Sequence, residues 1–354
     1  MSLDPQIPWL ENALNPTTAT VQLQSAIPSL KQVTAATLVR HKVGRRALVQ
    51  YDAETTTGPL ALLGKIRAKG TDRTSYQIQQ ALWHNGWSAH SPDGFSTPEP
   101  LGRVPDWHMI LQRRVPGVPL TQRLAHPEGL ALMPPVAALA HKLHRTPLPT
   151  PKTHTLADEL KILHDRLPLV IEHHPHWAAR IDRVLEGCDR LASQFSHHPD
   201  PGQTRGSAPT PPKSKIQNPK FTPLSLIHRD FYPDQILVDA DRLWLVDLDL
   251  CCQGSPAVDI GNFIAHITEQ SLRELGDAAA LRDRELTLQT AYLSHNSAPG
   301  SGATMAITAR EIDLYTVLTL VRHIHISTRI SSRRPYTEAL LSLGETRLAT
   351  MLEQ

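Results

Sequence analysis

Residues 227–259, IHRDFYPDQILVDADRLWLVDLDLCCQGSPAVD, constrain the fold of this chain more than any other stretch. The small and apolar residues Ser225, Leu226 and Ile227 read as a short buried strand, and the polar group His228-Arg229-Asp230 emerges at its end. Next, ILVDADRLWLVD alternates an apolar run, a polar Asp-Ala-Asp-Arg turn and a second apolar run, the pattern of a hairpin. The second strand, LWLVD, ends on Asp247. Gln235 lies five residues after Asp230, and Asp247 twelve after Gln235. A hairpin folds back on itself, so Gln235 and Asp247 meet at its open end. Asp249, two residues on, points to the same side as Asp247 if the strand continues.

Two carboxylates delivered from successive turns suit in-line phosphoryl transfer to a hydroxyl, where one orients the nucleophile and the other holds magnesium on the phosphates. A base that handles a hydroxyl proton needs a rigid loop and an accessible carboxylate, the setting of Asp230. The amide oxygen of Gln235 and the carboxylates of Asp247 and Asp249 are hard oxygen donors, suited to magnesium. An HxD triplet alone equally describes a solvated turn after a strand. It is the spacing to Gln235 and Asp247 that favours chemistry.

The 354 residues are enough for about two ordinary domains and a sizeable core. Residues 1–30 read as an extension with a short helix and an irregular lead-in. Three strand-like runs, 33–40, 46–52 and 59–67, precede a helix over 74–86, and a further strand spans 109–114. Residues 31–114 thus form a small sheet-plus-helix lobe. Residues 115–354 are mainly helical, with Val136, Leu139 and Leu143 at helical spacing and two helices over 155–196 broken at Glu172-His173-His174-Pro175-His176. The basic, Pro-rich segment 197–220 has almost no large apolar residues to offset its ordering entropy and reads as a surface insertion. The expected fold class is α+β, with an antiparallel-sheet lobe and a larger helical lobe.

The formal charge of +2 gives no reason to expect a nucleic acid or an anionic membrane as partner. Three cysteines do not make a disulfide framework and fit a reducing cytoplasm. No apolar run approaches the roughly 18–20 residues of a membrane span. His173, His174 and His176 surround a proline with only Glu172 as a nearby acid, a poor metal set. Cys251 and Cys252 are adjacent and poorly placed to bridge each other.

The segment HRDFYPDQILV, with LWLVDLDLCCQGSPAVDIGNF after the turn, resembles the core of the aminoglycoside phosphotransferase and choline kinase-like family, which shares the protein-kinase-like fold. The strong match covers about 40 residues, and the lobe order and LHRTP at 143–147 extend it over most of the chain. The resemblance implies a kinase using ATP and magnesium on a small-molecule hydroxyl, bound in a cleft between the lobes. It implies Asp230 as catalytic base, Asp247 as metal ligand with Gln235 and Asp249 beside it, and His228 and Asp259 as structural supports of the catalytic loop. Lys65, in the third strand-like run, is then the phosphate-contacting lysine, with Lys69 a nearby competitor. Leu111 and Arg113 lie in the hinge whose backbone would meet adenine.

Two departures stand out. The family has Asn where this chain has Gln235, one methylene longer. Its helix glutamate, partner of the lysine, is replaced here by Gln77, Gln79 and Gln80. They motivate a second reading, a weak or inactive nucleotide-binding scaffold of the same fold. A third is a metal-dependent hydrolase using His228, Asp230 and Asp247. The single Gly44, flanked by Arg45 and Arg46, is a meagre phosphate loop. The helices after residue 260 mix acids with the basic run Arg329–Arg334, so an acidic, drug-accepting pocket is not indicated. Acceptor and oligomeric state are not legible.

Overall fold

A computed structural model of the chain describes residues 3–70, 73–196, 224–296 and 307–354. The Pro-rich segment 197–220 lies outside the described residues. The chain forms two compact units, one of Met1–Leu120 with Asp234–Cys251, the other of Thr121–Pro233 with Cys252–Gln354.

The first unit begins with two helices, α1 (Leu10–Leu14) and α2 (Pro16–Gln24), where the sequence suggested one and a lead-in. The side chain of Asn15 accepts the Thr18 N–H at 3.1 Å, and Pro16 takes the first helical position, where no amide donor is needed. Ile7, Leu10, Ala13, Ala19 and Leu23 are fully buried against the sheet that follows. At roughly 1.5–3 kcal/mol for each large side chain removed from water, this burial makes the extension part of the unit's core.

The sheet runs β1 (Leu30–Lys42), β2 (Arg46–Thr55), β3 (Gly58–Arg67), then across α3 (Arg73–His84) and β4 (Phe95–Ser96) to β5 (Pro100–Val104) and β6 (Met109–Arg113). Its order is β1-β2-β3-β6-β5, antiparallel throughout. Along β2 and β3 buried and less buried residues alternate, as one covered sheet face requires. β5 escaped the sequence reading because PLGRV has no such alternation. Gly102 there sits at φ +154°, and a β-carbon would lie 2.8 Å from that of Ala26.

After β7 (Val118–Pro119) the second unit opens with α4 (Thr121–Leu124), α5 (Pro127–Ala131) and α6 (Met133–Arg145). Val136, Leu139 and Leu143 are buried on α6, with His144 beside them. Beyond β8 (Thr153–His154), helix α7 (Leu156–Arg166) starts at a capping box of Thr155 and Asp158. The break expected near residue 174 is real: α8 (Pro168–His173) ends, a 3-10 turn covers Pro175–Trp177, and α9 (Ala178–Ser196) follows. His174 stacks on Trp177 with centroids 4.6 Å apart. Among the described residues no group of three or more His, Cys, Asp or Glu is placed to hold a metal.

From β9 (Ser225–Ile227) the chain passes the polar loop and returns to the first unit as the hairpin β10 (Ile236–Asp239) and β11 (Arg242–Leu245). Ile236 pairs with Leu245 and Asp239 with Arg242, inside a small sheet of order β4-β11-β10-β7. The second strand stops at Leu245, two residues short of the sequence expectation. Asp247 adopts a left-handed backbone (φ +60°, ψ +54°), and Leu248–Leu250 form a 3-10 turn. The alternation invoked for Asp249 therefore does not apply.

The second unit resumes with β12 (Cys252–Gly254), in a sheet of order β8-β12-β9. Four helices close the chain: α10 (Ala257–Leu275), α11 (Arg282–Asn296), α12 (Ala309–Arg329) and α13 (Thr337–Glu353). Gly261 brings α10 close to α12, since a β-carbon there would meet that of Tyr315 at 2.7 Å and the Ile312 carbonyl at 2.8 Å. The fold is α+β. Among the described residues, no helix is long and apolar enough to cross a membrane.

Candidate active site

In the first unit, Lys65 lies mid-strand on β3, between Leu48 of β2 and Ile110 of β6. Its neighbour Gly64 allows tight packing: a β-carbon there would meet Met109 Sδ at 2.6 Å and the Tyr51 ring at 3.0 Å. Lys65 Nζ donates to Asp247 Oδ1 at 3.1 Å and lies 4.0 Å from Asp249 Oδ1. Burial alone would lower the lysine pKa, but the carboxylates of Asp249 and Asp247 outweigh it and raise it, so the ammonium is held charged. Chain segments 182 residues apart thus meet at one cation.

Arg67 extends this cluster. It is two residues beyond Lys65 on β3, hence on the same face, and its guanidinium pairs with Asp249 Oδ2. From α3, Ser75 Oγ donates to the Asp249 carbonyl oxygen at 3.2 Å. The glutamines that stand in for a helix acid do not reach the lysine by way of Gln79: its Nε2 donates to the Pro98 carbonyl at 2.9 Å and to Gln112 Oε1 at 3.3 Å. The left-handed Asp247 turns the chain so that both carboxylates still face Lys65 without a continuous strand.

Gln235 ends a 3-10 turn (Pro233–Gln235) at the open end of the hairpin, largely buried, and its carbonyl accepts the Val246 N–H at 2.9 Å. It stands one residue before the Ile236–Leu245 pair that closes the ladder. The two carboxylates, Asp247 and Asp249, are hard oxygen donors of the kind that suit a divalent cation.

Leu111 and Arg113 stand apart from this cluster. Leu111 is wholly buried and is registered with Gly64 on one side and Gly102 on the other, inside the sheet. The Arg113 N–H donates to the Glu99 carbonyl at 2.8 Å, and its Nε donates to Glu99 Oε2 at 2.6 Å. Leu111 is thus a central residue of β6 and Arg113 its last. The irregular stretch 114–117 follows them.

A hollow of about 270 Å³ lies at the β1–β2 turn, lined by Lys42, Gly44, Arg45, Arg46, Arg67, Lys69 and Gly70. Five of these seven are cations and none is an acid. Gly44 has φ +70°, and its N–H donates to Asp4 Oδ2 at 2.8 Å, an oxygen that also contacts His41 Nε2 at 2.8 Å. The one glycine amide of the turn is therefore already engaged, and the hollow offers side-chain charge instead.

In the second unit, the loop bearing Asp230 is held by Asp259 from the first turn of α10. Asp259 is fully buried. Its Oδ2 accepts the His228 N–H and its Oδ1 the Arg229 N–H, both at 2.7 Å. His144 Nε2 lies 2.9 Å from Oδ2, and His144 Nδ1 lies 2.7 Å from the Tyr292 hydroxyl. A carboxylate only accepts, so Nε2 carries the proton, and in the neutral ring Nδ1 accepts from Tyr292. Burial raises the Tyr292 pKa and keeps its phenol protonated. Arg229 holds a left-handed backbone (φ +67°), and Asn262 Nδ2 donates to the Phe231 carbonyl at 2.8 Å. Asp230 is partly exposed at the crest of this braced loop.

His144 and Tyr292 had no role in the sequence reading, although His144 lies within the LHRTP stretch. Arg67 ends the same strand-like run, 59–67, that holds Lys65, and alternation along it puts both on one face. Burial pushes the Cys188 thiol up to about 12 and the Cys252 thiol up to about 11, which leaves both inert.

The model of the phosphotransferase enzyme family (APH) matches residues 79–292. The chain belongs to that family. A choline/ethanolamine kinase family protein from Mesorhizobium loti is similar in structure at 16% identity and a TM-score of 0.59, covering 96% of this chain and 99% of the other. A choline kinase from Cryptosporidium parvum aligns at 12% identity and TM-score 0.56, over 95% and 94%. Amicoumacin kinase, solved with AMP-PNP, Ca²⁺ and Ami, aligns at 14% and 0.53, over 88% of each chain. At these identities the likeness speaks for fold, which is protein-kinase-like. The comparison with curated proteins gave no match.

Proposed function

We propose that this family member is an ATP- and magnesium-dependent kinase that phosphorylates a hydroxyl of a small molecule. The observation that carries the reading is the cluster of Lys65 with Asp247 and Asp249, a held cation beside two hard oxygen donors. Family membership supports phosphotransfer, and the nucleotide and divalent ion in amicoumacin kinase support their use here. Asp247 and Asp249, with Gln235, would hold magnesium, which supplies charge neutralisation on the phosphates. Lys65, beside Asp247, would meet a phosphate oxygen of the bound nucleotide. The cations of the β1–β2 hollow neutralise phosphate charge where a glycine-rich loop would use amides. Asp230 accepts the acceptor's hydroxyl proton, and Asp259 fixes the loop that aims it.

The test is Asp230→Asn. Turnover by ADP release is expected to fall by about 10²–10⁴-fold, the range for a lost general base, with magnesium–ATP affinity unchanged. Full phosphotransfer in that variant would sink the assignment. The absence of a helix acid on Lys65 favours a second reading, a nucleotide-binding protein without turnover. ATP-dependent thermal stabilisation with no ADP release over a broad hydroxyl panel would select it.

A further inference from the structure

Helix α10 is buried at every position from Ala257 to Ser271 except His266. That one opening faces Tyr232, which lies two residues after Asp230 and so within about 7 Å of it along the backbone. The two rings stack with centroids 4.4 Å apart and planes 20° from parallel, and both are partly exposed. Behind them His323 of α12, 1% exposed, places its Nε2 3.3 Å from the Nε2 of His266. Two nitrogens at that distance bond only if one carries a proton and the other does not, so the geometry excludes two protonated rings.

The platform is bracketed by guanidinium groups. One turn before His266, Asn262 Oδ1 accepts from Arg322 at 2.6 Å, and Arg322 also meets Glu159 at 3.2 Å. One turn after it, Glu269 pairs with Arg273 at 3.2 Å and with Arg333 at 3.6 Å. Glu269 and Glu159 are 4% and 3% exposed, whereas the arginines are 18–24% exposed, so the cations are the more accessible charges of these pairs. Arg273 has a second acid, Glu274, at 2.9 Å.

We propose that the acceptor is an anionic polyol, a hydroxyl compound bearing a carboxylate or phosphate, seated on the Tyr232–His266 platform with its negative charge toward Arg333 and Arg322. This rests on the phosphotransfer reading for Asp230 and names the substrate class of that site. An acceptor's sugar face or planar group covers the stacked rings, its hydroxyl reaches Asp230, and its anion meets the guanidinium rim. Burial, then His323 and the arginines 322, 333 and 273, holds His266 well below the usual imidazole pKa. The same arginines would repel the ammonium group of an amine acceptor.

Calorimetry in the presence of magnesium and a non-hydrolysable ATP analogue tests this with gluconate and glucose 6-phosphate as anionic probes, glucose and glycerol as neutral ones, and choline and kanamycin as cations. The native protein is expected to bind one anionic probe at least tenfold more tightly than glucose, with no measurable heat from choline or kanamycin. Gluconate against glucose 6-phosphate separates a carboxylate from a phosphate preference. Arg333→Gln should weaken anion binding by about tenfold, the effect of one lost charge-assisted bond. His266→Glu should abolish it, and His266→Gln should largely retain it, which separates charge from folding. Tighter binding of choline or kanamycin than of either anion would overturn the proposal, as would anion affinity unchanged in His266→Glu. ADP release is read separately with ATP: anion binding with no ADP release over the broad hydroxyl panel would refute the kinase reading and leave the anion site standing.

Discussion

Removing the Asp259 carboxylate should uncouple the catalytic loop from the fold. In Asp259→Ala, the buried N–H of His228 and Nε2–H of His144 and the partly buried N–H of Arg229 lose their acceptor. Each orphaned donor costs about 1–3 kcal/mol, and partial relaxation brings the total to about 3–5 kcal/mol, as for other broken buried charge networks. For a unit of about 200 residues this corresponds to a melting shift of roughly 6–20 °C, at about 2–4 °C per kcal/mol. Asp259→Asn keeps one accepting oxygen but turns an amide donor toward another donor, so about half that loss is expected. Differential scanning calorimetry measures the shift, and ADP release measures the consequence for Asp230. The left-handed Arg229 is held only while both amides are anchored, so turnover should fall further than the unfolded fraction explains. A variant Asp259→Ala that melts within about 2 °C of the native protein would refute the reasoning, because two buried donors and a partly buried one cannot lose a carboxylate so cheaply.

Three further outcomes follow from the same geometry. Lys65→Met should cut turnover by about 10²–10³-fold, as for other lost charge donors, and, by leaving Asp247 without its cation while Asp249 keeps Arg67, should tighten nucleotide-free magnesium binding in calorimetry. Gln235→Asn, which shortens the amide by one methylene, should change the magnesium dependence of ADP release, whereas identical magnesium curves would remove Gln235 from the ligand set. His323 has its pKa lowered to about 3 by burial and then by Arg322, Arg333 and Arg273. The unfolded chain therefore binds a proton that the folded chain refuses, and stability falls as pH drops from about 6.5 toward 3. The loss is about 2 kcal/mol at pH 5, and His323→Gln should flatten that part of a urea-denaturation pH profile.

The fold was legible where residue pattern and burial agree. The hairpin, the helix over residues 135–145 and the break near Pro175 follow from alternation, helical spacing and proline chemistry. Pattern failed where one backbone angle decides. Nothing in LWLVDLD announces that Asp247 turns left-handed, yet that turn ends the strand and sends both aspartates to Lys65. β5 was hidden because Gly102 meets Ala26 rather than presenting an alternating side chain. Asp259 was visible through its motif, but its partners His144 and Tyr292 are 115 residues before it and 33 after it, joined by packing that no local pattern encodes. Leu111 and Arg113 read as strand residues in the sequence, but nothing there shows that β5 pairs with the strand that carries them.

Asp4 has a practical consequence. Its carboxylate spans 40 residues to hold the Gly44 N–H, and it grips His41 as well, so the opening residues of the chain act as a tie-rod on the cationic turn. Edits near the start of the sequence are therefore edits of that turn. An affinity tag ahead of Leu3, or a trim that removes Asp4, alters the shape and charge of a surface about forty positions away. Kinetic comparisons between preparations are sound only when that short segment is the same in each.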